Sequence, residues 1–192
     1  MEKTLCFTGR RPKDLFGYDK SKYIPLVNAL TQELEYFYKI GYRKFISGGA
    51  QGFDQLAFWA VNRLKQKYKD IKNILYIPFP KQECKWLENG LFSQSEYRLM
   101  ISMADEVIYC TPNLNILIAS KLDINIAMHK RNHDMVDSSS LVFGLYPTDL
   151  WQNKYTKGGT AECLRYAKDK NKVIYQMNPF NLECFYSNNE TS

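Results

Sequence analysis

The chain has 192 residues, 45% of them hydrophobic and 24% charged, with a formal net charge of +6 at pH 7. A globule of that length buries roughly 70% of its unfolded surface, enough for one full core, and the ordinary content of Gly and Pro excludes a collagen-like, low-complexity or disordered body. No charged stretch followed by a long apolar run opens the chain, and no window approaches the ~20 apolar residues of a membrane span, so a soluble, cytoplasmic protein without a membrane partner is expected.

In chain order, β-rich runs alternate with helical patterns. Strands are predicted at Thr4 to Thr8, Lys44 to Ser47, Asn73 to Pro78, Glu106 to Cys110, Ser140 to Leu145 and Val173 to Gln176. The first crossover helix places Val27, Leu30, Leu34, Phe37 and Tyr38 on one face, with Pro25 near its start and Gly41 as its stop. A second turns Leu56, Ala57, Ala60, Val61 and Leu64 inward, and further helices are read at Gln94 to Met103, Asn125 to Val136 and Ala161 to Asp169. This alternation predicts an α/β fold, a Rossmann-like three-layer sandwich with a mostly parallel sheet, as a single domain over 1–185. The polar stretch 186–192 reads as a frayed tail. The scattered cysteines Cys6, Cys84, Cys110, Cys163 and Cys184 contain no Cys-x-x-Cys pair and read as reduced thiols.

Such sheets bind ligands beyond the carboxyl ends of their strands, and three loops there are unusual. The first strand runs into Thr8, Gly9, Arg10, Arg11 and Pro12, a basic end that suits an anion. The second loop, Ser47, Gly48, Gly49, Ala50, Gln51 and Gly52, opens a helix whose start carries Asp54. Glycines at such a junction let the backbone approach a phosphate that helix N–H groups then hold, although a tight turn with Asp54 as helix cap explains the loop as well. It is neither a Walker loop nor a GxGxxG fingerprint. The third loop ends in Gly158, Gly159 and Thr160, with Thr160 suited to an N-cap or to a phosphate oxygen. His129 and His133 share a helix face but lack a third metal ligand, so no metal site is expected. The basic run Arg63, Lys65, Lys67, Lys69, Lys72 reads as a solvated helix end rather than a nucleic-acid patch.

Taken together, "TGRRPKDL", "SGGAQGFD", "RNHDMVDSSSLVFGLY" and "KGGTAECLRYAK" resemble the YpsA-like branch of the SLOG superfamily, which joins the Smf/DprA proteins with the LOG phosphoribohydrolases. The resemblance implies a commonly self-associating Rossmann-like fold whose glycine-rich loops bind nucleotides, and relatives in bacterial and phage conflict systems. Thr8, Gly9, Arg11 and Pro12 match the first family motif, with Arg10 particular to this chain. Ser47, Gly48 and Gly52 to Asp54 match the second, Arg131, Asn132, Met135, Val136 and Asp137 the third, and Gly158 to Thr160 the fourth. The LOG enzymes carry a catalytic glutamate where this chain has Cys163; Glu162 comes one residue early, a turn of roughly 100° on a helix.

The favoured reading is therefore a nucleotide-binding protein, a sensor or sequestering protein for a ligand such as NAD, ADP-ribose or a cyclic derivative, with no further cofactor required. Arg11, with Arg10, would clamp phosphate; Asp54 would accept a ribose hydroxyl, Asn132 would pair with ribose or base, and Trp86, Tyr109 or Trp151 would stack on the base. Second comes a nucleoside monophosphate phosphoribohydrolase using Arg131 and Glu162. Single-stranded DNA binding ranks last, for want of a basic stripe interleaved with aromatics.

Overall fold

The structure is a computed structural model and describes residues 3–187. The strands β1 (Lys3–Gly9), β2 (Tyr42–Ser47), β3 (Lys72–Ile77), β4 (Glu106–Tyr109), β5 (Leu141–Leu145), β6 (Val173–Met177) and β7 (Cys184–Tyr186) form one sheet in the order β4-β3-β2-β1-β5-β6-β7. Every pairing is parallel except that of β6 with β7. The helices α1 (Ile24–Lys39), α2 (Phe53–Leu64), α3 (Gln94–Met103), α4 (Lys121–Asp137) and α5 (Gly159–Asp169) are the crossovers.

Alternation along the strands sorts the layers. Leu5, Phe7, Phe45 and Phe143 point to one face and pack on Leu30, Leu34 and Phe37 of α1 and on Phe53, Ala57 and Val61 of α2. Their neighbours Cys6, Ile46, Val142 and Ile174 point to the other, against Met135 and Val136 of α4 and Leu164 and Ala167 of α5. Leu75 and Ile77 meet Tyr97 and Met100 of α3, extending the first layer. With both faces covered, β5 is buried along its whole length, as central parallel strands are. The Rossmann-like sandwich expected from the alternation is the fold found.

The differences are local. Strand β7 falls outside the strands read from the sequence; it pairs antiparallel with β6, and Tyr186 packs its ring 4.8 Å from that of Tyr175. The sheet thus takes in the first residue of the stretch read as a tail, of which 188–192 lie outside the described residues. Helix α4 begins at Lys121 rather than at Asn125, because Ser120 and Asp123 form a reciprocal capping box that extends it. On α1 the buried residues are Leu26, Leu30, Leu34 and Phe37, while Val27 and Tyr38 lie at the margin. The cysteines form no disulfide, and Cys6 and Cys163 are buried. Among the described residues no helix is long and apolar enough to cross a membrane.

Candidate functional site

Strand order reverses at β1: β2, β3 and β4 lie to one side and β5, β6 and β7 to the other. Crossovers leaving in opposite directions part at such a point and leave a crevice beyond the strand ends. A cavity of about 470 Å³ lies there, walled by the end of β1 through Arg11, by Asn125, Met128, His129, Arg131 and Asn132 of α4, and by Lys157 to Glu162 at the start of α5.

Its floor is a buried ion pair. Arg131 reaches from α4 beneath the sheet edge, 4% exposed, and its Nη1 donates to the Gly48 carbonyl at 2.5 Å and to Asp54 Oδ2 at 3.2 Å. Asp54 also accepts from the Ala50 N–H at 3.3 Å. Burial pushes the Asp54 carboxyl up from its ordinary value, while Arg131, Arg11 and the Ala50 N–H pull it down. Only glycine fits at position 48, since a Cβ there would lie 1.6 Å from Arg131 Nη1. Arg11 is the second cation beside Asp54; burial lowers its pKa and Asp54 opposes the shift, and a guanidinium so placed stays charged. Two cations thus face one carboxylate. Arg10 lies over the Tyr146 ring at 4.3 Å, and the Nε atoms of Arg10 and Arg131 are buried with no hydrogen-bond partner among the described residues. Lys13 and Lys157 bring the cations on the wall to five, against the carboxylates of Asp14, Asp54 and Glu162.

The helix starts differ. At α2 the N-cap is Gly52, with φ of 94°, and the first amide is already spent, Phe53 N–H donating to the Arg10 carbonyl at 3.2 Å. At α5 the N-cap is Gly158, without a side-chain cap, and Gly159, Thr160 and Ala161 all line the cavity, so this helix start can offer N–H groups to an anion. Two capping expectations change accordingly. Asp54 bonds back into its loop instead of capping α2, and Thr160 sits inside α5, its hydroxyl donating to the Gly9 carbonyl at 2.8 Å and tying α5 to the end of β1.

On the same wall His129 Nδ1 lies 3.1 Å from Glu162 Oε2, both side chains about half exposed. The one-residue offset therefore leaves Glu162 on the cavity, while Cys163 turns inward, 2% exposed, its thiol pushed up to about 11 by burial.

The structure brings together Thr8, Gly9, Arg10, Arg11, Asp54, Arg131, Asn132, Gly158, Gly159, Thr160 and Glu162. Ser47, Gly48, Gly49 and Gly52 stand behind that wall: Gly48 packs on Arg131, Gly49 on Ile77 and Tyr97, and Gly52 on the Arg10 carbonyl. The expected stacking aromatics also lie elsewhere. Trp151 is buried, donating Nε1–H to Gln176 at 2.7 Å, Trp86 packs on Tyr97, and Tyr109 ends the edge strand.

A family model, YpsA, described as the "YspA SLOG family", matches residues 5–182. The chain belongs to the YspA SLOG family. It is 32% identical over 171 residues to the uncharacterized SPbeta prophage-derived protein YoqJ of Bacillus subtilis (strain 168), covering 85% of this chain and 90% of that one. It is also 29% identical over 107 residues to UPF0398 proteins of Bacillus thuringiensis (strain Al Hakam) and Bacillus cereus (strain Q1), covering 55% of this chain and 56% of each of those. Besides the stretches carrying the SLOG likeness, the cavity recruits Phe7, Ile124, Asn125, Met128 and His129. His129 was legible as a residue two before Arg131, whereas Asn125 and Met128 join the cavity only through the placement of α4 beside the end of β1.

Proposed function

We propose that the cavity binds a nucleotide or nucleotide-derived ligand, of the NAD, ADP-ribose or cyclic class, and that the protein senses or sequesters it. The observation that carries this reading is the buried Arg131 with an unspent Nε, at the switch point of the sheet, facing the same cavity as Arg10, Arg11 and the uncapped start of α5. Phosphate oxygens are held by these guanidinium groups and by the first amides of α5, each bond to a charged group contributing roughly 1.5–3 kcal/mol. The likeness to a protein named as prophage-derived supports a place in conflict between phage and bacterium. Calorimetry against NAD, ADP-ribose, AMP and cyclic nucleotides tests the reading: saturable binding weakened by Arg11→Ala supports it, and heat from none of them removes it.

A second reading, hydrolysis of a nucleoside monophosphate at its N-glycosidic bond, draws on Glu162 beside His129 on the wall. Release of free adenine from AMP, lost in Glu162→Gln, is the outcome it requires. DNA binding has less support, because Lys65 pairs with Asp105 and Lys67 with Glu35.

Self-association, in this reading, uses the first turns of α4. Leu122 and Ile126, one turn apart on α4, are 67% and 57% exposed, and Ile118 in the turn just before the helix is 84% exposed, an apolar patch that can meet the same patch of a second copy. Sedimentation should show a dimer that Leu122→Asp converts to monomer; a wild-type monomer at roughly 200 µM, well above the range of specific complexes, contradicts it.

A further inference from the structure

We propose that Glu162, oriented by His129, recognises the vicinal 2′,3′-diol of a ribose, which makes the ligand a ribonucleotide rather than a 2′-deoxyribonucleotide or a bare phosphate. This rests on the nucleotide reading above and adds to it the group that reads the sugar.

Three carboxylates line the cavity, and their environments separate them. Asp54, the sequence's candidate for the ribose, is 7% exposed and committed to Arg131 and to the Ala50 N–H. Asp14 closes the short turn Pro12–Asp14 and stands exposed at the outer rim. Glu162 remains: one oxygen lies 3.1 Å from His129 Nδ1, and the other has no partner among the described residues.

A carboxylate beside an anion site repels the anion, so its presence there favours a ligand that brings donors to it. A carboxylate is an acceptor with several lone-pair positions, and two adjacent hydroxyls supply two donors in the plane it prefers. Glu162 sits in the first turn of α5, on the same wall as the amides of Gly159 and Thr160. A phosphate at those amides and Arg11 thus places the sugar of the same nucleotide against Glu162. Asn132, whose Nδ2 lies 3.9 Å from where a Cβ on Gly159 would stand, flanks the same place with a second polar group. Held by His129, the carboxylate loses less rotamer freedom on binding than a free glutamate would. His129 is therefore a positioning residue.

The test is calorimetry of the full chain with AMP, 2′-deoxy-AMP and inorganic phosphate. The wild type should prefer AMP to 2′-deoxy-AMP by about 10- to 100-fold, the span of one hydrogen bond to a charged group. In Glu162→Ala the two nucleotides should bind alike, with phosphate binding kept or strengthened. His129→Ala should lose part of the preference and His129→Gln, which keeps a donor, should restore it. Asp14→Asn should leave the preference unchanged. These side chains are half exposed or at the rim, so the fold tolerates their replacement, and unchanged melting of each variant verifies that. Equal binding of both nucleotides by the wild type, a preference that survives Glu162→Ala, or one lost in Asp14→Asn overturns the proposal and leaves the nucleotide reading standing. Binding of none of the three overturns the proposal as well, and the nucleotide reading itself falls only when NAD, ADP-ribose and cyclic nucleotides also give no heat.

Discussion

Replacing Arg131 by Met keeps the unbranched stem of the side chain but removes the guanidinium and its charge, leaving the Asp54 carboxylate buried with only Arg11 as a neighbouring cation. The two side chains are 5% and 9% exposed and 3.2 Å apart, so solvent screens the pair little. Stranding one member of a buried pair costs about 3–5 kcal/mol, and at this chain length each kcal/mol lowers Tm by about 2–4 °C, so Arg131→Met should melt roughly 6–20 °C below the wild type. Asp54→Asn strands the guanidinium instead and should also destabilise. The double variant strands neither and should recover about 1–3 kcal/mol relative to the sum of the single losses. Denaturant unfolding of the four proteins measures this cycle. Anion affinity separates the two single variants further: Asp54→Asn adds one positive charge to the cavity and should tighten phosphate binding while lowering stability, whereas Arg131→Met should lower both. A cost below about 1 kcal/mol for Arg131→Met, or strict additivity in the double variant, refutes the assignment of a buried, mutually dependent pair.

Arg11→Ala should weaken nucleotide binding more than Arg10→Ala does, because Arg11 stands beside Asp54 and Arg131 whereas Arg10 spends its face on Tyr146; equal or reversed losses in calorimetry overturn the ranking. Gly52→Ala should lower stability by about 1–3 kcal/mol, since φ at Gly52 is 94° and a Cβ would lie 2.5 Å from the Arg10 carbonyl; chemical denaturation checks it. Lys67 and the Tyr68 hydroxyl hold the Glu35 carboxyl down to about 2 from an ordinary 4.5. Its contribution to stability is therefore complete above pH 4.5 and lost as pH falls toward 2. Carboxyl NMR at low salt should show that depressed titration, and high salt should raise it, as expected of a surface group.

The sheet was legible because its strands obey the simplest rules. Phe45 and Ile46, or Val142 and Phe143, sit between helical patterns of period 3.6, and both strand faces are apolar because both are covered. Strand β7 was not, since three residues after a turn carry no periodicity and gain their place only by pairing with β6. The start of α4 is marked in the sequence by Ser120 and Asp123, which stand at capping-box spacing. In the cavity, the chemistry of the first and last loops was readable from composition, because two arginines and a Gly-Gly-Thr turn need no partner to be recognised. The middle glycine loop has a partner that composition alone does not reveal. Gly48 has the composition of a phosphate cradle, yet the group approaching it is the protein's own Arg131, 83 residues away in sequence. Whether a carboxylate is spent or available, as Asp54 and Glu162 show, depends on such long-range partners.

The central claim is that the switch-point cavity holds a nucleotide by its phosphate, and titration of AMP and ADP-ribose into wild type and Arg11→Ala side by side tests it most directly. Saturable binding by the wild type, weakened about 10-fold or more in the variant, the effect of losing one charge-assisted bond, is the predicted result. No binding by the wild type, or equal affinity in the two proteins, contradicts it.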